Sequence, residues 1–234
     1  MLVIDPINDK SWDVGPNFGN MKQKWYGGIY SKHDDCIYGI PHNETGILKI
    51  NPNTNECTIF AQTLSKGLWT WHGGLITSDG KTIIGFPNNS NSILIMHMPE
   101  QRMSFIDQYS NHVTTEENNQ EQTLPILKSG RHRHPHDWKY KYLGGALSKN
   151  DKYCYLFPSD SERVLKINMN TFVMKTIGPL LVEGGGKYQN GFYSQRDDCI
   201  YGVSLFYCLF SNILYSHDYK FNIYLRYHKM QEVL

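Results

Sequence analysis

The chain has 234 residues, of which 40% are hydrophobic and 19% charged, and its formal net charge is +1. These values are ordinary for a globular chain and leave no overall basic field to recruit nucleic acid or an anionic membrane. No apolar run is long enough to span a bilayer as a helix.

Self-similarity organises the chain. Leu2-Val3-Ile4-Asp5-Pro6 and Trp12-Asp13-Val14 are short apolar runs of strand type. They match Leu48-Lys49-Ile50-Asn51-Pro52 and Thr58-Ile59-Phe60, each 46 positions on. Between these copies lies a complete unit. It opens with Trp25-Tyr26-Gly27-Gly28 and continues through Ile37-Tyr38-Gly39-Ile40-Pro41 and Ile47-Leu48-Lys49-Ile50-Asn51 to Thr58-Ile59-Phe60. The unit returns 46 positions on as Trp71-His72-Gly73-Gly74, Ile83-Ile84-Gly85-Phe86-Pro87, Ile93-Leu94-Ile95-Met96-His97 and Ser104-Phe105-Ile106. A third copy follows after a further 71 positions: Tyr142-Leu143-Gly144-Gly145, Cys154 to Pro158, Val164 to Asn168, and Lys175-Thr176-Ile177. The extra 25 residues fall between 107 and 137 and include Thr114 to Gln122, a polar stretch that reads as a loop insertion. A fourth copy begins at Tyr188-Gln189-Asn190-Gly191, runs through Ile200-Tyr201-Gly202-Val203-Ser204, and then stops tracking the repeat.

Four short strands per unit, at a period of 46 residues, predict an all-β fold: a β-propeller of four-stranded antiparallel blades. The sequence supplies three whole blades, two outer strands at its start and two inner strands near its end. Joined, the partial blades would make a composite fourth; the alternative is a fragment of a larger ring. The first strand of each unit should be innermost, where its glycines allow close backbone approach. The aromatic before them (Trp25, Trp71, Tyr142, Tyr188) is expected to wedge between blades. Residues 1–203 thus form the propeller domain and 204–234 a divergent tail. That tail is either an aberrant last blade or translated intron, since Val203-Ser204 can be encoded by a splice-donor hexamer.

The five cysteines are odd in number, and Cys36 and Cys199 share one repeat position, so they are reused strand residues rather than a disulfide framework or metal knuckle. Reduced thiols, and Met1 leading straight into a repeat, point to a cytoplasmic setting. The Asn43-Glu44-Thr45 and Asn88-Asn89-Ser90 sequons lie in Asn-rich loops where the tripeptide arises by chance.

Blade topology sorts the loops onto two faces. The loops between second and third strands carry His42, Asn43, Asn88, Asn89, Asp160 and Arg163. With His72 beside Gly73-Gly74, these form the expected binding face, because binding residues concentrate on loops held by a rigid scaffold. An enzymatic alternative builds a channel-mouth site from His42, His72, Asn88 and Asp160, with the imidazoles as an acid/base pair. His132, His134 and His136 alternate, and in an extended segment they would share a face and could meet a metal. Arg131 and Arg133 oppose a cation there, so no metal site is assigned and no cofactor is expected. On the opposite face, the Asp34-Asp35 and Asp197-Asp198 turns read as structural. No nucleophile elbow, phosphate loop or dinucleotide fingerprint is present.

The repeat, Trp-x-Gly-Gly, Ile-Tyr-Gly-Ile-Pro and Leu-Lys-Ile-Asn-Pro, resembles uncharacterised β-propeller repeat proteins of protists and algae, and is more distantly similar to Kelch-type propellers. The resemblance covers residues 1–203 and implies the fold. It departs from true Kelch repeats in the placement of Gly-Gly and lacks the Gly-His and Trp-Asp pairing of WD repeats, so it carries over no catalytic residue. The expectation is a non-enzymatic binding or scaffold propeller whose partner is a protein or a small-molecule ligand. The alternative is an enzyme of the propeller lactonase or lyase kind.

Overall fold

We describe residues 1–60, 68–107, 140–181 and 185–204 of the computed structural model. Among them every regular element is a strand except one 3-10 turn at Lys149–Asp151. The chain divides into two compact units, one of residues 1–85 with 94–105 and one of 86–93 with 106–234.

In the first unit, β1 (Leu2–Asp5) and β2 (Lys10–Asp13) form a two-stranded antiparallel sheet. Next come β3 (Trp25–Ser31), β4 (Cys36–Pro41), β5 (Ile47–Asn51) and β6 (Glu56–Phe60), a four-stranded sheet in sequential order. A second four-stranded sheet, whose residues are divided between the two units, follows with β7 (Trp71–Ile76), β8 (Thr82–Pro87), β9 (Ser92–His97) and β10 (Arg102–Asp107). The second unit holds a third, of β11 (Tyr142–Leu147), β12 (Tyr153–Pro158), β13 (Val164–Asn168) and β14 (Met174–Ile177). It also holds a two-stranded sheet of β15 (Tyr188–Ser194) and β16 (Cys199–Ser204). These are the blades that the repeat predicts, three whole and two partial.

The repeat is preserved to the register. Second and third strands pair as Ile37↔Ile50, Tyr38↔Lys49 and Gly39↔Leu48. The matching positions pair as Ile83↔Met96, Ile84↔Ile95 and Gly85↔Leu94, and as Cys154↔Ile167, Tyr155↔Lys166 and Leu156↔Leu165. Third and fourth strands pair as Leu48↔Ile59 and Ile50↔Cys57, and their counterparts 46 positions earlier pair as Leu2↔Asp13 and Ile4↔Ser11. The turn that joins them is set by one side chain. Asp5, Asn51 and Asn168 each accept backbone N–H groups two and three residues ahead through Oδ1, the Asx-turn that suits short polar residues.

Each unit has its own core. In the first, Trp71 is buried with Ile29, Tyr38, Ile40, Ile83 and Leu94, drawn from two adjacent blades. In the second, Tyr188 packs with Phe157, Ala146 and Ile200. Trp71, Tyr142 and Tyr188 are buried, as the expected wedge requires, whereas Trp25 is half-buried against Phe18. Inner strands approach closely: a Cβ on Gly144 would collide with the Gln189 carbonyl oxygen. Gly27, at φ +72, sits in the left-handed region beside the Tyr26/Gly28 bulge, where only glycine is unstrained.

The acidic hairpin tips are structural, as expected. Tyr38 donates to Asp34 and Tyr30 to Asp35. The fourth copy repeats this with Tyr201 on Asp197 and Tyr193 on Asp198. The Cys36 and Cys199 thiols donate to the carbonyls of Asp34 and Asp197. Cys36, Cys57, Cys154 and Cys199 are free and buried. No helix among the described residues is long and apolar enough to cross a membrane. The insertion between 107 and 137, and the tail beyond Ser204, lie almost wholly outside the described residues.

Candidate functional site

The loop between second and third strands ends against the corner where the next blade begins. That corner residue is left-handed in all four copies: Gln23 (φ 52), Trp69 (φ 57), Tyr140 (φ 55) and Gly186 (φ 67). A left-handed backbone is uncommon for tryptophan and tyrosine, so the surroundings must enforce it. Asn43 Oδ1 accepts the Trp69 N–H at 2.8 Å, Asn89 Oδ1 that of Tyr140 at 3.1 Å, and Asp160 Oδ1 that of Gly186 at 2.6 Å. Asn43, Asn89 and Asp160 occupy one repeat position. Their acceptor oxygens satisfy a backbone donor that no ladder reaches. Three residues of the expected binding face therefore fix corners of the fold.

In the first unit the corner brings rings together. Trp69 folds back over His42, with centroids 6.3 Å apart and planes 18° from parallel, and its Nε1–H donates to Gln23 Oε1 at 3.0 Å. Tyr26 stacks on His72 at 3.6 Å and lies 5.6 Å from His42. The two imidazoles are edge-to-face at 5.8 Å. His42 is 6% exposed, whereas Tyr26 is 42% exposed. The cluster thus runs from the interior to a half-exposed phenol.

The protonation states follow from the contacts. His42 Nδ1 is 2.6 Å from the Trp71 carbonyl oxygen, which can only accept, so Nδ1 carries the proton and the neutral ring presents Nε2 as an acceptor. Burial lowers the His42 pKa, and the Trp71 carbonyl partly opposes that. Burial, then the neighbouring His42, pulls His72 down to about 4. His72 is therefore neutral at pH 7. Because the unfolded ring would protonate first, this contribution to stability is present above about pH 6.5 and lost as pH falls towards 4. Proton-detected NMR of the imidazole should show the His72 midpoint well below 6.5; a midpoint at or above 6.5 would contradict the packing.

The second unit holds a different polar group. Lys141 is fully buried, and its Nζ donates to the Asn89 carbonyl oxygen at 3.1 Å. Its backbone N–H donates to Asn88 O, and its carbonyl accepts from Ser159 and Ser161. Burial pulls its pKa down to about 7. Asn88 and Asp160 flank it, 1% and 4% exposed.

Of the four residues in the enzymatic alternative, His42 and His72 meet, while Asn88 and Asp160 belong with Lys141. Arg163 is directed to the Gly178 carbonyl at 2.6 Å. Trp69 and Lys141 were not singled out from sequence. The signal for Trp69 was available: a tryptophan at the position held by Gln23, Tyr140 and Gly186. Among the described residues no group of three or more His, Cys, Asp or Glu could hold a metal, and His132, His134 and His136 lie outside them.

No protein-family model matches the chain, and no curated protein matches it. Solved structures do. A catalytically inactive virginiamycin B lyase from Staphylococcus aureus, solved with quinupristin, matches with TM-score 0.53 and 14% identity, covering 79% of this chain and 51% of that one. The RRP9 WD40 repeats match with TM-score 0.51 and 13% identity, covering 80% and 46%. The extracellular domain of a hybrid two-component system from B. thetaiotaomicron matches with TM-score 0.52 and 13% identity, covering 76% and 19%. The chain thus spans about half the length of the lyase and WD40 structures and less of the third. At these identities the likeness carries the fold, a β-propeller, and nothing finer.

Proposed function

We propose that the chain is a non-enzymatic binding domain whose contact surface is the ring cluster Tyr26, His42, Trp69 and His72 in the first unit. The observation behind this is the chemistry of the cluster. It offers aromatic faces, a phenol hydroxyl and a neutral imidazole acceptor, with the His42 donor committed to Trp71. That set suits a planar or apolar group bearing a hydrogen-bond donor, on a protein or a small ligand. A general acid would need an imidazolium near neutral pH, and burial opposes one at both rings. The WD40 and lyase neighbours leave both function classes open at the level of fold, so the site supports the choice.

The lyase-like reading keeps one supporting observation, the adjacency of the two imidazoles. One comparison separates the two. Tyr26→Ala and His72→Gln should each weaken retention of a bound partner or ligand tenfold or more, with unchanged circular dichroism. Phe192→Ala, an exposed aromatic of the second unit, should leave retention intact. Equal retention by all three variants would remove the ring cluster from the binding surface. Turnover abolished by His72→Gln with binding preserved would favour the enzyme.

A further inference from the structure

The second unit buries polar atoms that its fold does not use. Asn88 and Ser159 occupy the repeat position of His42, each directly after the proline that ends a second strand. They are 1% and 0% exposed. In the first unit His42 meets the Trp71 carbonyl oxygen. Asn88 Oδ1 and Ser159 Oγ, by contrast, are buried with no hydrogen-bond partner among the described residues. Leaving such atoms unpaired is costly, and in folded proteins nearly all of them meet protein, water or an ion.

Lys141 lies between the two. Its backbone N–H donates to Asn88 O at 3.1 Å, and its carbonyl accepts the Ser159 N–H at 2.9 Å. Its repeat counterparts are Lys24, Thr70 and Lys187. Thr70 Oγ1 donates to the Pro41 and His42 carbonyls of the preceding loop. A neutral hydroxyl there does the tethering that Lys141 Nζ does at Asn89 O. Lys24 turns its amine to the Gly19 and Met21 carbonyls at an exposed site. Of the three lysines at this position only Lys141 is buried. Tethering alone therefore does not account for an amine in the interior. Burial disfavours its charged form, and an anion beside it offsets that penalty.

We propose that Lys141, Ser159 and Asn88 form a buried site in the second unit for a small monovalent anion, of the size of chloride or formate. Lys141 Nζ and the Ser159 hydroxyl donate to it. The Asn88 amide completes the set, since rotation of the same planar group puts Nδ2 in the place of Oδ1 and turns the orphaned acceptor into a donor. A cation is opposed by the amine. Asp160, the carboxylate next to Ser159, is held by Oδ1 to the Gly186 N–H at 2.6 Å. One amine matches one negative charge, which disfavours sulfate or phosphate. The site is separate from the ring cluster of the first unit and does not depend on its role.

The test titrates the full chain with sodium chloride near neutral pH, replacing gluconate at constant ionic strength. Chloride NMR linewidths should broaden saturably, and formate should displace the chloride while sulfate does not. Lys141→Met and Ser159→Ala should each weaken binding about tenfold or more, the effect of one lost charge-assisted hydrogen bond. Lys24→Met, at the equivalent position of the first unit, should leave it unchanged. Stability separates the site from mere packing. In gluconate Ser159→Ala should match or exceed the wild type, because it removes an orphaned hydroxyl; in saturating chloride the wild type should be the more stable. Broadening that is absent, does not saturate, or is unchanged in both Lys141→Met and Ser159→Ala would overturn the proposal and make water the partner of both orphaned atoms.

Discussion

Gly144→Ala is expected to cost the second unit about 4 kcal/mol or more, enough to unfold a domain of ordinary stability. The added Cβ would collide with the Gln189 carbonyl oxygen and lie 2.6 Å from its carbon and 3.2 Å from Asn190 Cα. All three are backbone atoms of β15, so no rotamer change relieves the clash. The inner strands β11 and β15 must separate, and the packing of Tyr188 against Phe157 and Ala146 loosens with them. Overpacking of a flexible side chain costs typically ~1–3 kcal/mol; a backbone collision exceeds that. Gly27→Ala is the control, because its Cβ would meet only Gly73 Cα at 3.5 Å and pay mainly for φ +72, about 1 kcal/mol. Urea denaturation followed by tyrosine and tryptophan fluorescence should rank the two in that order. Equal midpoints for Gly144→Ala and wild type would mean that the inner strands do not approach as described.

Lys141→Met should raise stability at pH 7 by about 1–3 kcal/mol, since a buried charge replaced by an apolar side chain of similar volume is often stabilising. The amine is fully buried, and its pKa falls from 10.5 to about 7 on folding. Below about pH 7 it is charged in both states and carries its full burial penalty. Between 7 and 10.5 the unfolded chain holds the proton and the folded chain does not, so stability rises with pH. Above 10.5 the penalty is gone. The Met variant should be flatter across that range, after allowance for the lost donor to Asn89 O. Chemical denaturation at pH 7 and pH 9.5 tests this. A variant less stable than wild type at pH 7 would show that Lys141 is retained for a favourable contact.

The repeat made the blades legible because strand pairing reuses the same residues at the same offsets. Ile37, Tyr38 and Gly39 recur as Ile83, Ile84 and Gly85, and the registers recur with them. The inner-strand glycines and the buried aromatics were legible for the same reason. The site was legible in part. His72 stood out against its repeat counterparts Tyr26, Leu143 and Gln189, and His42 stood out among loop residues. What could not be read was that Asn43, Asn89 and Asp160 turn inwards to backbone amides. A polar loop residue looks the same in sequence whether it faces solvent or a corner of the chain. Lys141 escaped because lysine is ordinarily exposed, and nothing in its neighbours Tyr140 and Tyr142 marks the position as interior.

Three of the left-handed corners share one latch, a side-chain oxygen that accepts the corner's own N–H. At Asn43 and Asn89 that atom belongs to a neutral amide, and at Asp160 to a carboxylate. A swap between asparagine and aspartate at this position keeps an oxygen acceptor for the corner N–H and changes the charge beside it. It is also the least conspicuous place for the chain to vary, since a swap between asparagine and aspartate leaves hydrophobic pattern, length and strand propensity untouched.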